Sequence, residues 1–254
     1  MKKWILFLSI LSLASITACG GKGAKKHSFR FSGSENAEQA FNKCVQLSTK
    51  KKFQDSIDCL EIFKSRFPES PQAQEAELKI GDAYFKKKEY LLAAETYLLY
   101  PKLHPTGEKA DYAYYRTGLS YLNQSPKKID RDQEYLPSSI DYFSIVTSQY
   151  PNSQYYKISQ YKLDEARRRI AKRNMYVAKF YYKFGEYKAS IPRFEEVYQK
   201  FSNLGLDEEA LYYTIRAYKE LGKMDEAKAT YEILKGKYPN SKRLKKLPKE
   251  VLVS

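Results

Sequence analysis

The sequence predicts an all-α protein: an α-solenoid of about five stacked helical hairpins, with one long helix joining the third hairpin to the fourth. Three observations carry that expectation. Residues of fixed size recur at fixed offsets from an aromatic-Pro-x-Ser motif, seen in "RFPESPQAQ" (Arg66–Gln74), "QYPNSQYYK" (Gln149–Lys157) and "KYPNSKRLK" (Lys237–Lys245). Gly and Pro are modest, 11 and 10 among 254 residues, so disorder throughout is not expected. The chain is rich in charge (30%) and in tyrosine (24 residues), and after residue 18 it has no apolar run long enough to cross a bilayer.

The first element is a leader. "MKKWILFLSILSLASITAC" has Lys2 and Lys3, an apolar run from Trp4 to Leu13, and then small residues, the order of a secretory signal. "ITAC" (Ile16–Cys19) resembles the lipobox of bacterial lipoproteins, in which the cysteine after the cut carries the lipid. That resemblance implies a signal peptide over 1–18 and lipid attachment at Cys19. Gly20 rather than aspartate follows the cysteine, which by the same resemblance suggests an outer-membrane destination. The lipid would anchor the chain without spanning the bilayer.

Cleavage after residue 18 removes two basic residues and leaves 43 against 30 acidic ones, a mature net charge of +13. Such a charge is either a solvated helical surface or a source of attraction to anionic headgroups or an acidic partner. Nucleic acid is not an expected partner, because the chain carries an export signal and none of the usual motifs. Residues 19–34 ("CGGKGAKKHSFRFSGS") are rich in Gly, Ser and Lys and read as a flexible tether.

The repeats follow. The slot of the punctuating proline holds Pro68, Pro105, Pro151, Ser202 and Pro239. Twelve residues upstream stand Ser56, Ala93, Ser139, Ser190 and Ala227. Eight upstream stand Leu60, Tyr97, Phe143, Phe194 and Tyr231, and five upstream Phe63, Tyr100, Val146, Val197 and Leu234. The residue just before the slot is Phe67, His104, Tyr150, Phe201 or Tyr238. Small, then large four later, then apolar three later, is one face of a helix. The small residue lets the preceding helix approach. Turn sequences precede each such helix: "KKKEY" (Lys86–Tyr90), "KFGEY" (Lys183–Tyr187) and "ELGKM" (Glu220–Met224), with Gly185 and Gly222 able to adopt the left-handed conformation that ends a helix. Proline then stops the second helix. Each unit is a hairpin of about 34 residues, which resembles the tetratricopeptide repeat, or TPR. Tyr84, Tyr121, Tyr181 and Tyr218 recur at one register position and are expected inside.

Two steps are longer than the rest. Nine extra residues fall around "NQSPKKIDRDQEYLP" (Asn123–Pro137), and fourteen inside Asn152–Gly185, a stretch with no internal Pro or Gly. Fourteen residues make about four helical turns, so the first helix of repeat four is expected to be lengthened. The boundaries that result are 1–18 for the leader, 19–34 for the tether, 35–108 for repeats one and two, and 109–254 for repeats three to five with the insertion and a basic tail.

The sequence carries no C-x-x-C, H-E-x-x-H, P-loop or nucleophile-elbow pattern, and its two histidines, His27 and His104, sit in the tether and in the aromatic column. No enzymatic activity, cofactor or metal is expected. Cys44 and Cys59 fall on the two helices of the first hairpin at similar distance from its turn. They either form a disulfide or stand as two buried thiols.

Further residues carry a closer resemblance: "DRD" (Asp130–Asp132), "YPNSQY" (Tyr150–Tyr155) and "RRRIAKRNMYVAKFYYKFGEYKASIPRFEEVYQKF" (Arg167–Phe201). With the lipobox and the five-repeat layout, they resemble the BamD family of TPR lipoproteins, which serve the outer-membrane β-barrel assembly (Bam) machinery. The likeness is strongest over about 110–201. It departs at Pro192, which should kink or loosen a helical turn, and in the basic C-terminus (Lys242–Lys249). The resemblance implies a lipid-anchored scaffold on the periplasmic side of the outer membrane. Its partners would be a POTRA domain of the barrel protein BamA, other Bam lipoproteins and unfolded β-barrel precursors. Arg193 matches a family arginine at the BamA contact, and Asp130, Arg131 and Asp132 form either a partner surface or a loop held by Arg–Asp pairing.

In TPR hairpins the first helix lines the concave face. This places Phe41, Leu78, Phe85, Tyr112 and Tyr115 near a groove for an extended apolar peptide, with Phe67 at its rim. Simple packing is the other reading of each. The alternative function is another periplasmic TPR adaptor, serving the Tol–Pal system or peptidoglycan.

Overall fold

The computed structural model describes residues 29–247, so the leader, Cys19 and the last residues of the basic tail lie outside the described residues. Among the described residues the chain forms helices and no strands. The hairpins are α1 (Ala37–Thr49) with α2 (Phe53–Arg66), α3 (Pro71–Lys86) with α4 (Tyr90–Leu103), and α5 (Ala110–Gln124) with α6 (Leu136–Gln149). Then come α7 (Tyr156–Lys183) with α8 (Tyr187–Lys200), and α9 (Asp207–Glu220) with α10 (Met224–Lys237). Each helix packs chiefly on its neighbours in sequence, as a solenoid requires.

The sequence columns are the core. All five small residues, Ser56, Ala93, Ser139, Ser190 and Ala227, are fully buried. Leu60, Tyr97, Phe143 and Phe194 are fully buried as well, whereas Tyr231 is half-buried because its hairpin is the last of the stack. A further column of small residues lies on the first helix of the first four pairs, Cys44, Gly81, Gly118 and Ala178, with Ile215 in its place in the fifth. It is small because the large column presses on it. A Cβ on Gly81 would stand 2.6 Å from the Tyr97 ring, and one on Gly118 would stand 2.9 Å from the Phe143 ring. Two of the small serines also tie the hairpin together. Ser56 Oγ donates to the Cys44 carbonyl and Ser139 Oγ to the Gly118 carbonyl, each at 2.9 Å.

Four hairpin turns share one device, a left-handed residue two positions past the first helix: Lys51, Lys88, Gly185 and Gly222. The glycines adopt it without strain, while the two lysines carry the Cβ cost. The punctuation motif is a cap. The Ser153 hydroxyl accepts from the Tyr155 amide at 2.9 Å and donates to Asp111 at 2.5 Å. Ser241 repeats this with the Arg243 amide at 3.0 Å and Glu208 at 2.5 Å. The serine thus ties these two turns back to the start of an earlier helix, whereas Ser70 of the first motif makes no such bond.

The lengthened helix is α7, with 28 residues against 14 in α9. Helix α8 continues through Pro192 instead of ending there. Lys188, whose carbonyl loses its partner to the proline, is exposed, so water can satisfy it.

Two expectations change, and one open alternative is decided. The tether ends earlier than residue 34: Phe31 is buried against Phe67, and Arg66 donates to the Phe31 and Ser32 carbonyls at 3.0 and 3.1 Å. Cys44 and Cys59 form a disulfide with Cα atoms 5.3 Å apart. Helix axes pack about 8–10 Å apart, but facing Cα atoms each stand about 2.3 Å nearer the partner, which brings them within bonding range. Tyr84, Tyr121, Tyr181 and Tyr218 are half-buried rather than interior.

Candidate partner-binding surfaces

The first surface lies between repeats two and three. Helices α3, α4 and α5 bring Asp82, Tyr97, Tyr112 and Arg116 together. The Tyr97 and Tyr112 hydroxyls donate to Asp82 Oδ1 at 2.6 and 2.5 Å. Arg116 donates through Nε to the Tyr97 oxygen at 2.9 Å, places Nη2 3.4 Å from Asp82, and lays its guanidinium 4.1 Å from the Phe85 ring centroid. Burial, and then the Asp82 charge, push both tyrosine hydroxyls far above the ordinary phenol range, so they stay protonated and donate. The cluster is charge-neutral within itself and fully engaged.

Beside it lies a cavity of about 280 Å³ lined by Leu78, Tyr112 and Tyr155, with Glu75, Lys79 and Asp111 at its mouth. Tyr115 stacks on Tyr155, with ring centroids 5.1 Å apart. Of the six residues expected to line a groove, Leu78, Phe85, Tyr112 and Tyr115 therefore gather here. Phe41 and Phe67 do not. They flank Phe63 in the core of repeat one, with ring centroids 5.6 and 5.3 Å from it, and Phe41 is buried.

The second surface lies where repeat three meets repeat four. The nine-residue insertion is fixed from beneath by Gln133 and two arginines of α7. Buried Gln133 donates through Nε2 to the carbonyls of Pro126, Lys128 and Arg131. Arg169 donates to the carbonyls of Leu122, Ser125 and Pro126, and Arg173 to that of Ile129 at 3.0 Å. No Arg–Asp pairing holds the loop. The side chains of Asp130, Arg131 and Asp132 are exposed and make no ion pair among the described residues.

Asp132 and Arg193, far apart in sequence, share one open cavity of about 460 Å³, together with Arg173, Tyr181 and Ile170. Arg193 is exposed, and its one fixed contact among the described residues is a long 3.4 Å bond to Asn174 Oδ1. Asn174 is buried and donates to Glu196 at 2.9 Å. The arrangement leaves cationic and anionic side chains facing solvent on a rigid, helix-backed floor.

Sequence reasoning missed Asp82, Arg116 and Gln133. A lone carboxylate or arginine on a helix looks like any solvated charge, and nothing local shows that three helices converge on it. The small column was detectable at Cys44, Gly81 and Ala178, each 16 residues before the large column, whereas the nine-residue insertion shifts Gly118 out of that register. Among the described residues no group of His, Cys, Asp and Glu side chains is arranged to hold a metal ion, and no helix is long and apolar enough to cross a membrane.

The profile of the family described as "YfiO: Outer membrane lipoprotein" matches residues 34–246. The chain is 31% identical over 202 residues to the outer membrane protein assembly factor BamD of Rickettsia prowazekii, covering 80% of each protein. It is 29% identical to the BamD of Neisseria meningitidis serogroup B, covering 96% of this chain and 94% of that one. It is 24% identical to the BamD of Caulobacter vibrioides, covering 94% of this chain and 77% of that one.

Proposed function

The chain belongs to the YfiO family of outer membrane lipoproteins, and from that premise we propose that it is a non-enzymatic scaffold for outer-membrane protein assembly. Relatives matched over most of its length are named outer membrane protein assembly factors. In this reading Cys19 carries the lipid, the solenoid faces the periplasm, and other Bam lipoproteins join it. The junction of repeats three and four holds a POTRA domain of BamA. The groove beside Leu78, Phe85, Tyr112 and Tyr115 receives unfolded β-barrel precursors.

The observation that carries the POTRA contact is the shared cavity of Asp132 and Arg193. A long helix and a pinned loop fix the floor, so binding there would require little ordering of the protein. That is the condition under which a modest interface still holds. The groove reading rests on the half-buried rings of Tyr112 and Phe85 beside an apolar floor at Leu78. Aromatic faces of this kind suit an extended apolar segment.

Pull-down of the full tethered chain from detergent-solubilised membranes tests the reading. The expected result is co-purification of a POTRA-bearing barrel protein. Recovery of Tol–Pal components without it would assign the chain to a different envelope adaptor.

A further inference from the structure

We propose that the outer face of α7 lies against anionic phospholipid, so that the solenoid rests on the bilayer along this helix as well as hanging from its N-terminal lipid. The sequence from Ala166 to Gly185 holds seven basic residues and no acidic one. Four of the seven are committed within the fold. Arg167 donates to the Lys200 carbonyl, Arg169 and Arg173 hold the insertion, and Lys179 pairs with Glu209 at 2.6 Å. The other three, Arg168, Lys172 and Lys183, are exposed and have no partner among the described residues.

Aromatic side chains continue the same surface. Arg168, Lys172, Tyr176, Phe180 and Phe184 follow at four-residue intervals, each step turning about 40°, so they sweep a broad exposed face of about 160° with Tyr176 at its centre. Tyr176, Phe180 and Phe184 are 47%, 54% and 64% exposed, and the last two rings touch with centroids 4.7 Å apart. Of the nine large apolar side chains left exposed among the described residues, five lie on this helix or its cap, Ile158 and Tyr161 being the other two.

Exposed aromatic rings adjoining unpaired cations match a bilayer interface, with exposed Asp164, one turn before Arg168, marking the acidic N-terminal edge of the basic stretch. Rings enter the headgroup layer and long cationic stems reach its phosphates. The patch runs about 24 Å along the axis, from 16 residues at 1.5 Å each. A zwitterionic bilayer would lack the attraction, because each Lys or Arg near an anionic surface contributes separately.

The test uses the full lipidated chain in vesicles. The sole tryptophan, Trp4, lies in the leader, so Phe180→Trp supplies one reporter in the mature protein. Leu99→Trp, on the exposed side of α4, supplies the reference. Vesicles contain brominated phosphatidylcholine with or without phosphatidylglycerol. The expected result is a blue shift and bromine quenching at position 180 with phosphatidylglycerol only, lost in the Arg168→Glu/Lys172→Glu variant, with no quenching at position 99.

Equal quenching at both positions would overturn the proposal, as would quenching that ignores phosphatidylglycerol or survives the charge reversal. A blue shift at position 180 on adding a soluble POTRA fragment without vesicles would assign the face to protein and would also overturn it. The lipid result is read independently of any barrel-protein binding, so it fails or stands apart from the assembly reading.

Discussion

In the groove between repeats two and three, Asp82 accepts from two tyrosine hydroxyls and stands 3.4 Å from Arg116. At the junction of repeats three and four, Asp130, Arg131 and Asp132 make no ion pair among the described residues, and Arg193 has one long bond there, to an amide oxygen. Both regions collect charge, the first on neighbouring helices and the second on a loop and the helix beside it. The first satisfies its charges internally and so contributes to stability. The second leaves them to solvent, where they contribute little to the fold and stay available to a partner. Charge that matters to folding and charge that matters to binding are therefore separated along one solenoid.

Breaking that separation should show first in stability. Arg116→Ala leaves Asp82, whose side chain is only 17% exposed, without its guanidinium partner. The expected cost is about 3 kcal/mol, read as a lower urea midpoint, because truncating one member of a largely buried pair strands the other. A change within a few tenths of a kcal/mol would mean that the tyrosine hydroxyls alone satisfy Asp82.

Smaller and more discriminating is the pair Gly81→Ala and Gly118→Ala. Both introduce a methyl group against a ring, at 2.6 and 2.9 Å. Overpacking of this kind costs roughly 1–3 kcal/mol. Gly81→Ala should lie at the upper end, because Tyr97 is tied by hydrogen bonds to Asp82 and Arg116 and cannot turn away. Phe143 has no such tie. Equal losses in thermal unfolding would show that the cluster does not immobilise Tyr97.

The repeat architecture was legible because its physics is local and periodic. Small-large-apolar spacing fixes a helix face, and five copies fix the register. The fourteen extra residues without Gly or Pro read directly as the length of α7. Features built from several helices were not legible. The Cys44–Cys59 disulfide depends on how closely two helix faces approach, which spacing alone leaves open. Phe31 docks from upstream of the repeat pattern, so the Gly- and Ser-rich segment around it hid a core residue. Phe41 looked like groove lining because the first helix of each hairpin contributes to both the concave wall and the core, and Phe67 looked like its rim because it stands in the inter-repeat turn; only packing against Phe63 decides for each. At the junction, both Asp132 and Arg193 were visible as singular residues, but their sharing of one cavity follows from α7 and the pinned loop together.

The central claim, that the open charges of the junction hold a partner while the closed charges of the groove hold the fold, is tested most directly by titrating a BamA POTRA fragment onto three versions of the chain. Arg193→Glu should bind at least tenfold more weakly, about 1.4 kcal/mol, with unchanged helicity and melting temperature, since Arg193 is exposed and makes no ion pair. Arg116→Ala, kept below its lowered melting temperature, should bind like the wild type. Unchanged binding by Arg193→Glu, or weakened binding by a fully folded Arg116→Ala, would contradict the account.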